Sequence, residues 1–508
     1  MKIKKNRIVL SIYIIFFLGV LLRIFNPFEE DQKIFFAAAR YSTLSDLSFP
    51  LNILQTFELK PIFSRVIYYL FFILSNNAFY EISDPFVFII FQQGILVILI
   101  LASLLIYNLS LKNSYLLDRN QLNGLFLLTG VSLIFVGSEV FFQVDHLALI
   151  LAIFSLGLLI NNSKNLNFTG AIITGLLAGI KGVTILYVPM VYISLFILSH
   201  KKKNLYKYLL LSTIVACVSL LISWDELSNA SKMQNLNLHS LSQNFVNKIF
   251  INKYVFADLP LLFSFFLGLI LIFLEKNKFI FDSNKEFFLF LILVFLSFLY
   301  PLTQVGFTYH YIALYFPIYI FIFFLIINQK INKNSKFFPA VIFFVSVFFV
   351  SFSGGGLTLI SKVYEPFEKY SLIKINLENF YSEIDTFNLI KKNIPKGEKI
   401  LFLTDGVANF YLKDYESACE EFYPLSINRL MNKEHKNESD LFSRTLKCIQ
   451  GYQGRFVLIQ SSWLPEENYF EVYPNNNYKK VKMFSTKQRD YLLYEKQSNL
   501  IKSGKRWN

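Results

Sequence analysis

Apolar residues run in long blocks along the first two thirds of this chain, separated by short polar or basic stretches. Twelve blocks approach the roughly 20 residues that a bilayer crossing needs: 8–25, 61–75, 86–107, 122–137, 143–160, 168–180, 182–199, 207–223, 258–274, 286–300, 309–328 and 337–353. From Gly354 the pattern changes, after the flexible run Ser353-Gly-Gly-Gly356. Charge rises and the apolar runs shrink to strand length, as in Lys399-Ile-Leu-Phe-Leu-Thr404 and Arg455-Phe-Val-Leu-Ile-Gln460. A helical pattern from Glu383 to Asn393 precedes the first of them, joined by Ile394-Pro-Lys-Gly397. The expectation is an α-helical polytopic membrane domain over 1–353 and a soluble α/β domain over 354–508, the latter large enough for its own core.

Composition agrees with a lipid solvent. Hydrophobic residues make up 54% of the 508 positions and charged residues 17%, against about 25% charged in soluble domains. The net charge of +14 does not form a basic face for nucleic acid. Its lysines cluster between spans, at Lys2, Lys4, Lys5 and Arg7, at Lys201 to Lys203 with Lys207, at Lys276, Lys278 and Lys285, and at Lys330, Lys333 and Lys336. Such clusters mark cytoplasmic loops. They place the N-terminus inside and both the loop 26–60 and the C-terminal domain outside, in a multi-pass protein of the plasma (inner) membrane. Both outer ends require an odd number of crossings, so the twelve blocks resolve to eleven or thirteen spans. The N-terminal basic and apolar stretch has no small-x-small cleavage site after it, which predicts a retained first span. Cys217 falls inside an apolar block, while Cys419 and Cys448 lie in the polar tail, where an oxidising compartment would let them pair.

Charges at the membrane edge are costly and so nominate a site. In the first loop, Glu29, Glu30 and Asp31 precede Lys33-Ile-Phe-Phe-Ala-Ala-Ala-Arg40-Tyr41, whose Ile34, Ala37, Ala38 and Tyr41 recur at helical spacing and predict a short helix on the membrane surface. Glu30 or Asp31 could serve as a general base toward a hydroxyl, or simply cap that helix. Phe57-Glu58-Leu59-Lys60-Pro61 follows where the chain re-enters the bilayer; Lys60 could hold a lipid phosphate with Glu58 orienting it, or could snorkel. Arg65 sits one turn further in. Glu139 and the pair Asp145-His146 fall on the same outer side, as do the hairpin tip at Lys181-Gly182 and Thr308-Tyr309-His310-Tyr311. Carboxylates, lysines and polar aromatics on one face are what gripping a phosphate and a sugar requires.

In their order these stretches resemble the GT-C type membrane glycosyltransferases, and within them glycosyltransferase family 39, which includes protein O-mannosyltransferases and the lipid A aminoarabinose transferase. Glu30-Asp31 through Arg40 is similar to the family's first-loop signature. Phe57-Glu58-Leu59-Lys60-Pro61 is similar to its Phe-Glu-Lys-Pro-Pro motif, with Leu59 inserted and Ile62 in place of the second proline. Val144-Asp145-His146-Leu147 resembles its Thr-Asp-x-x-Leu segment. Gly175-Leu-Leu-Ala-Gly179-Ile-Lys181-Gly182 resembles its glycine and lysine run with a shortened gap, and His310-Tyr311 through Pro317 its late tyrosine and proline span. The resemblance implies inverting transfer of a sugar from a polyprenyl-phosphate-linked donor to a hydroxyl on a glycan, lipid or protein acceptor. It makes Asp31 the favoured base, with Glu30 the alternative. Glu58, Lys60, Arg65, Asp145, His146, Lys181, His310 and Tyr311 then contribute to substrate binding.

No zinc-spaced Cys/His pair is present, so no metal ligand set is assigned, although the acidic loop leaves room for a loosely held divalent cation. Two rival readings use the same membrane setting: a lipid-linked oligosaccharide transporter or flippase, and an O-antigen-type polymerase. A carrier of related halves would show an internal repeat, and a polymerase a larger late loop than 224–257; neither is found.

Overall fold

A computed structural model describes residues 20–21, 24, 30–44, 61–75, 84–115, 117, 119–134, 141–198, 205–224, 284–302, 312–313, 315–328, 366–404, 406–419, 447–461, 477–487 and 489–497. In chain order the described elements begin with α1 (Glu30–Leu44), α2 (Ile62–Leu74), α3 (Pro85–Tyr115), α4 (Arg119–Ile134), α5 (Val144–Ile160) and α6 (Lys164–Leu176). Two 3-10 turns, Leu177–Gly179 and Gly182–Leu186, lead into α7 (Tyr187–Leu198), followed by α8 (Leu205–Ile222), α9 (Asn284–Leu302) and α10 (Tyr315–Asn328). The C-terminal part contains α11 (Pro366–Lys391), β1 (Lys399–Leu403), α12 (Val407–Tyr411), β2 (Glu416–Ser417), β3 (Phe456–Gln460), β4 (Tyr478–Ser485) and β5 (Asp490–Lys496).

The apolar blocks within the described residues become helices. Among the described residues α3 and α8 are long and apolar enough to cross a bilayer. Their apolar side chains face outward as readily as inward: Ile98 is 66% exposed and Leu221 71%. A soluble protein would not leave such contiguous apolar surface in water. Helix α3 starts at Pro85, where the missing N–H costs nothing, and Asp84 Oδ1 accepts the Phe86 N–H at 2.8 Å. The blocks 8–25, 258–274 and 337–353 lie largely or wholly outside the described residues.

Close approach between helices rests on glycine. A Cβ on Gly157 of α5 would stand 2.8 Å from the Tyr107 backbone of α3, bringing those two backbones together, and one on Gly179 would run into the Phe63 ring of α2. Without a hydrophobic drive between helices in lipid, such backbone contact is a main source of association. The glycines of the 175–182 run therefore seat the chain around Lys181.

In the C-terminal part, β1 pairs in parallel with both β2 and β3, and β3–β5–β4 continue antiparallel, giving a mixed five-stranded sheet of order β2-β1-β3-β5-β4. Gly397, at φ 81°, makes the turn from α11 into β1. Every residue of β3 is buried, as befits a strand in the middle of a sheet. The predicted strands match β1 and β3, while the helix expected from Glu383 extends back to Pro366. Cys419 and Cys448 form a disulfide.

Helix α1 departs from its predicted setting. The expected open surface helix is instead covered all round, with residues 32–40 buried. Two of its buried polar members meet specific counterparts: Lys33 an ion pair and Gln32 Nε2 a backbone carbonyl. Hydrogen-bonded partners are what make such burial tolerable.

Candidate functional site

The turn that begins α5 carries the first part of the site. Phe142 adopts φ 72°, a region a bulky residue rarely occupies. Such a conformation costs on the order of 1–3 kcal/mol and persists only where the surroundings dictate it. Here they do. The Tyr68 hydroxyl of α2 donates to the Phe142 carbonyl, the Phe142 N–H donates to His146 Nδ1 at 3.2 Å, and the Phe142 ring packs 4.9 Å from that of Phe71. With Nδ1 accepting, His146 Nε2 carries the proton and donates to the Leu133 carbonyl at 3.1 Å. Both ring nitrogens of His146 thus brace the protein backbone, and the ring is fully buried.

That bracing fixes Asp145, in the first turn of α5, where a helix N-terminus favours an anion. Its carboxylate is 2% exposed. Lys181 Nζ donates to both oxygens, at 2.9 and 3.2 Å, and the Tyr300 hydroxyl of α9 donates to Oδ1 at 2.6 Å. Lys181 is held in an extended conformation between the two 3-10 turns. Its N–H donates to Thr184 Oγ1 at 3.0 Å, and the Thr184 hydroxyl donates onward to the Leu177 carbonyl. A helix broken here lets a lysine reach across to α5.

The two charges differ in access. Lys181 keeps 29% of its side chain exposed, whereas Asp145 is sealed. Tyr187, which opens α7 six residues after Lys181, tilts its ring against that of Tyr300 at 5.4 Å. It lies within electrostatic range of Asp145. The Tyr187 hydroxyl is buried and makes no hydrogen bond among the described residues. A buried hydroxyl without a partner costs about 1–3 kcal/mol, a cost that a bound oxygen-rich group would offset. The cluster therefore offers one reachable cation and one phenolic donor, Tyr187, a set suited to a phosphate oxygen.

A second constellation lies at α1. Lys33 Nζ meets Glu383 Oε2 of α11 at 2.7 Å, each side chain 7% exposed. The Tyr411 hydroxyl donates to the same oxygen at 2.7 Å, and Arg489 approaches Oε1 at 3.5 Å. One residue earlier, Gln32 Nε2 donates to the Phe141 carbonyl at 3.1 Å. Residues 32 and 33 thus link the Phe141–Phe142 turn, and through it Asp145, to the C-terminal sheet.

Of the residues nominated by sequence, the structure joins Asp145 to Lys181 directly and places His146 beneath them as a brace. Arg65 is buried on α2 and lines a small cavity with Phe35, Ala38, Ala39 and Ser42 of α1. Glu30 and Asp31 open α1, but their side chains are outside the described residues, as are Glu58, Lys60, His310 and Tyr311 entirely. The cation considered at the acidic loop falls with those side chains. Among the described residues, no group of three or more His, Cys, Asp or Glu is placed to hold a metal. Sequence reasoning passed over Tyr300 and Tyr187, two of 29 tyrosines with no motif to distinguish them, and it did not single out Glu383 or Arg489.

No protein-family model matches the chain, and no curated protein matches it. Among solved structures it is similar to the crystal structure of ArnT from Cupriavidus metallidurans bound to undecaprenyl phosphate, at 14% sequence identity and a TM-score of 0.49, over 96% of this chain and 97% of that one. At that identity no residue role passes from one protein to the other.

Proposed function

We propose that this protein is a membrane glycosyltransferase that moves a sugar from a polyprenyl-phosphate-linked donor to an acceptor hydroxyl on the outer face of the plasma membrane. The observation that carries the reading is the Asp145–Lys181–Tyr300 cluster, with its reachable lysine and the unsatisfied Tyr187 hydroxyl beside it. It is seated among apolar helices and tied through Gln32 to the helix that Asp31 opens. Charged groups in such a setting mark a substrate path far more often than a structural need.

In this reading the acceptor hydroxyl attacks the anomeric carbon, the bond from that carbon to the phosphate oxygen breaks, and the electron pair leaves with the phosphate. Lys181 neutralises the charge that develops there, and Tyr187 donates a hydrogen bond to it, while Tyr300 keeps its proton on Asp145 and holds that carboxylate in place. Lys60, Glu58, Arg65, His310 and Tyr311 would extend the phosphate and sugar contacts. Asp31, or Glu30, takes the proton from the acceptor. Activated lipid is the sensible donor outside the cell, where nucleotide sugars are not expected. The Cys419–Cys448 disulfide supports an oxidising location for the C-terminal part.

The test is mass analysis of cell-envelope glycans from cells with the protein, without it, and with Asp31→Asn. A glycan present only with the wild type, and lost by about 100-fold or more in Asp31→Asn at equal membrane insertion, is the expected outcome. Full glycan addition by Asp31→Asn removes the assigned base. An envelope unchanged by deletion, together with an altered distribution of lipid-linked oligosaccharide across the membrane, favours the flippase.

A further inference from the structure

The Lys33–Glu383 pair is not needed for any step above, yet it is among the most thoroughly buried charge clusters described. Four ionisable or hydroxyl groups from separate segments converge: Lys33 of α1, Glu383 of α11, Tyr411 of α12 and Arg489 just before β5. Lys33 Nζ also lies 5.4 Å from the Tyr411 ring and 5.8 Å from that of Phe380. Burial, and beyond it the Glu383 charge, push the Tyr411 hydroxyl far above its ordinary value, so it remains a donor. Around this polar centre Phe86 and Phe88 of α3 pack against Phe380 and Phe410 at 5.8 and 6.2 Å, and the Tyr41 hydroxyl reaches the Tyr415 carbonyl at 3.4 Å. An apolar contact alone would have sufficed to bury α1. A buried ion pair adds directionality instead, since it is satisfied in one register and leaves unpaired charge in others.

We infer that Glu383 is a positioning residue, through which the C-terminal sheet sets the register of α1 and hence the placement of the carboxylates at its start. Gln32 on the Phe141 carbonyl and Lys33 on Glu383 clamp adjacent residues from two directions, and Asp31 is the next residue back. Releasing either grip lets the first turn of α1 slide or fray, moving the base relative to the Lys181 cluster. A misplacement of about 1 Å is enough to cost on the order of 100-fold in rate. This inference rests on the transferase reading for its consequence, but the clamp itself is testable without it.

The experiment follows amide hydrogen exchange in the full-length protein in lipid nanodiscs. Glu383→Gln keeps the shape of the side chain while removing its charge and turning one of its two acceptor oxygens into a donor. It should speed exchange over 30–44 by about tenfold, with α3 and α5 unchanged. In a Cys217→Ser background, Lys33→Cys/Glu383→Cys should show the same loosening, and bridging the two thiols with a short bismaleimide should restore slow exchange. Binding of undecaprenyl phosphate should stay within about twofold throughout, since Lys181 is untouched. Glycan addition should fall with loosening and return with the bridge, a rescue that a general loss of stability would not give. Unchanged exchange over 30–44, or equal acceleration in α3 and α5, overturns the clamp. A loosened α1 that transfers at the wild-type rate overturns the positioning role. If the wild type itself adds no glycan, the transferase reading fails while the exchange result still decides the clamp.

Discussion

Two buried charge clusters sit at the ends of one chain of contacts, and they are built differently. At Lys33–Glu383 every charged side chain is sealed, at 7% exposure for Lys33, Glu383 and Arg489 alike, and both carboxylate oxygens are engaged. At Asp145–Lys181 the anion is sealed at 2% but the cation is 29% exposed, and a neighbouring tyrosine hydroxyl is left without a hydrogen bond. Both clusters bear the desolvation cost of burial. The first turns no charge toward solvent, so its return is structural. The second keeps its cation within reach of solvent beside the buried Tyr187 hydroxyl, and access of that kind is what a binding site needs. Burial of charge alone therefore does not locate function; access to the charge does.

The difference is sharpest in what single substitutions should do. Glu383→Leu leaves Lys33 and Arg489 buried with no carboxylate between them. A loss of about 3–5 kcal/mol in the stability of the C-terminal part is expected, read as a lowered midpoint in thermal or denaturant unfolding. A shift under about 1 kcal/mol would mean the sealed cluster is replaceable, and the contrast would dissolve.

The open cluster should respond in binding instead. Lys181→Met alone would strand Asp145, so the informative variant is Lys181→Met/Asp145→Asn, which removes both charges together. Affinity for a polyprenyl phosphate, the carrier of the proposed donor, should fall about 100-fold, near 2.7 kcal/mol, while unfolding moves by no more than about 1 kcal/mol. Retained affinity with retained fold would assign the phosphate elsewhere, with Lys60 the next candidate. Tyr187→Phe is subtler. It removes a hydroxyl that has no partner in the described residues, so the protein should become no less stable. Its affinity for the phosphate should nonetheless drop at least about tenfold, the worth of one hydrogen bond to a charged group. Unchanged affinity would show that the bound phosphate does not extend to Tyr187.

Much of the helical framework was legible because lipid imposes long apolar runs: predicted blocks 143–160 and 207–223 became α5 and α8 nearly residue for residue. Strands β1 and β3 were legible for the same kind of reason, being short apolar runs between charged ends. Asp145 and Lys181 stood out because charge is rare in such surroundings. Tyr300 did not, since a tyrosine in a span looks like packing until its hydroxyl finds a carboxylate 155 residues away in sequence. Glu383 was hidden by the opposite effect. In a charged amphipathic stretch one more glutamate reads as a solvated face, and only the approach of α1 makes it a buried one. The environment of α1 was misjudged likewise: its apolar Ile34, Ala37, Ala38 and Tyr41 at helical spacing suit a membrane surface, but Lys33 and Gln32 had partners in distant segments that no local pattern encodes.

A third pair calibrates the other two. Lys391 at the end of α11 meets Asp414 at 2.7 Å, but with 26% and 36% of the side chains exposed. Partial burial pushes the Asp414 carboxyl up; the Lys391 hydrogen bond and charge, aided by Lys413 and Lys396, outweigh it and hold the group below its ordinary 3.8. A lowered value in the fold means the pair stabilises above the unfolded value, and that this stability is lost as pH falls through the folded one. Because water screens the pair, Asp414→Asn should cost only a few tenths of a kcal/mol at neutral pH. The gap between wild type and variant should stay constant from neutral pH down to about 4 and close below it. Added salt should shrink that gap at neutral pH but leave the Glu383→Leu penalty nearly intact, since sealed charges are screened far less. A gap at Asp414 as large as that at Glu383 would mean that exposure does not set the worth of these pairs, and the distinction drawn between the sealed and the open cluster would lose its physical basis.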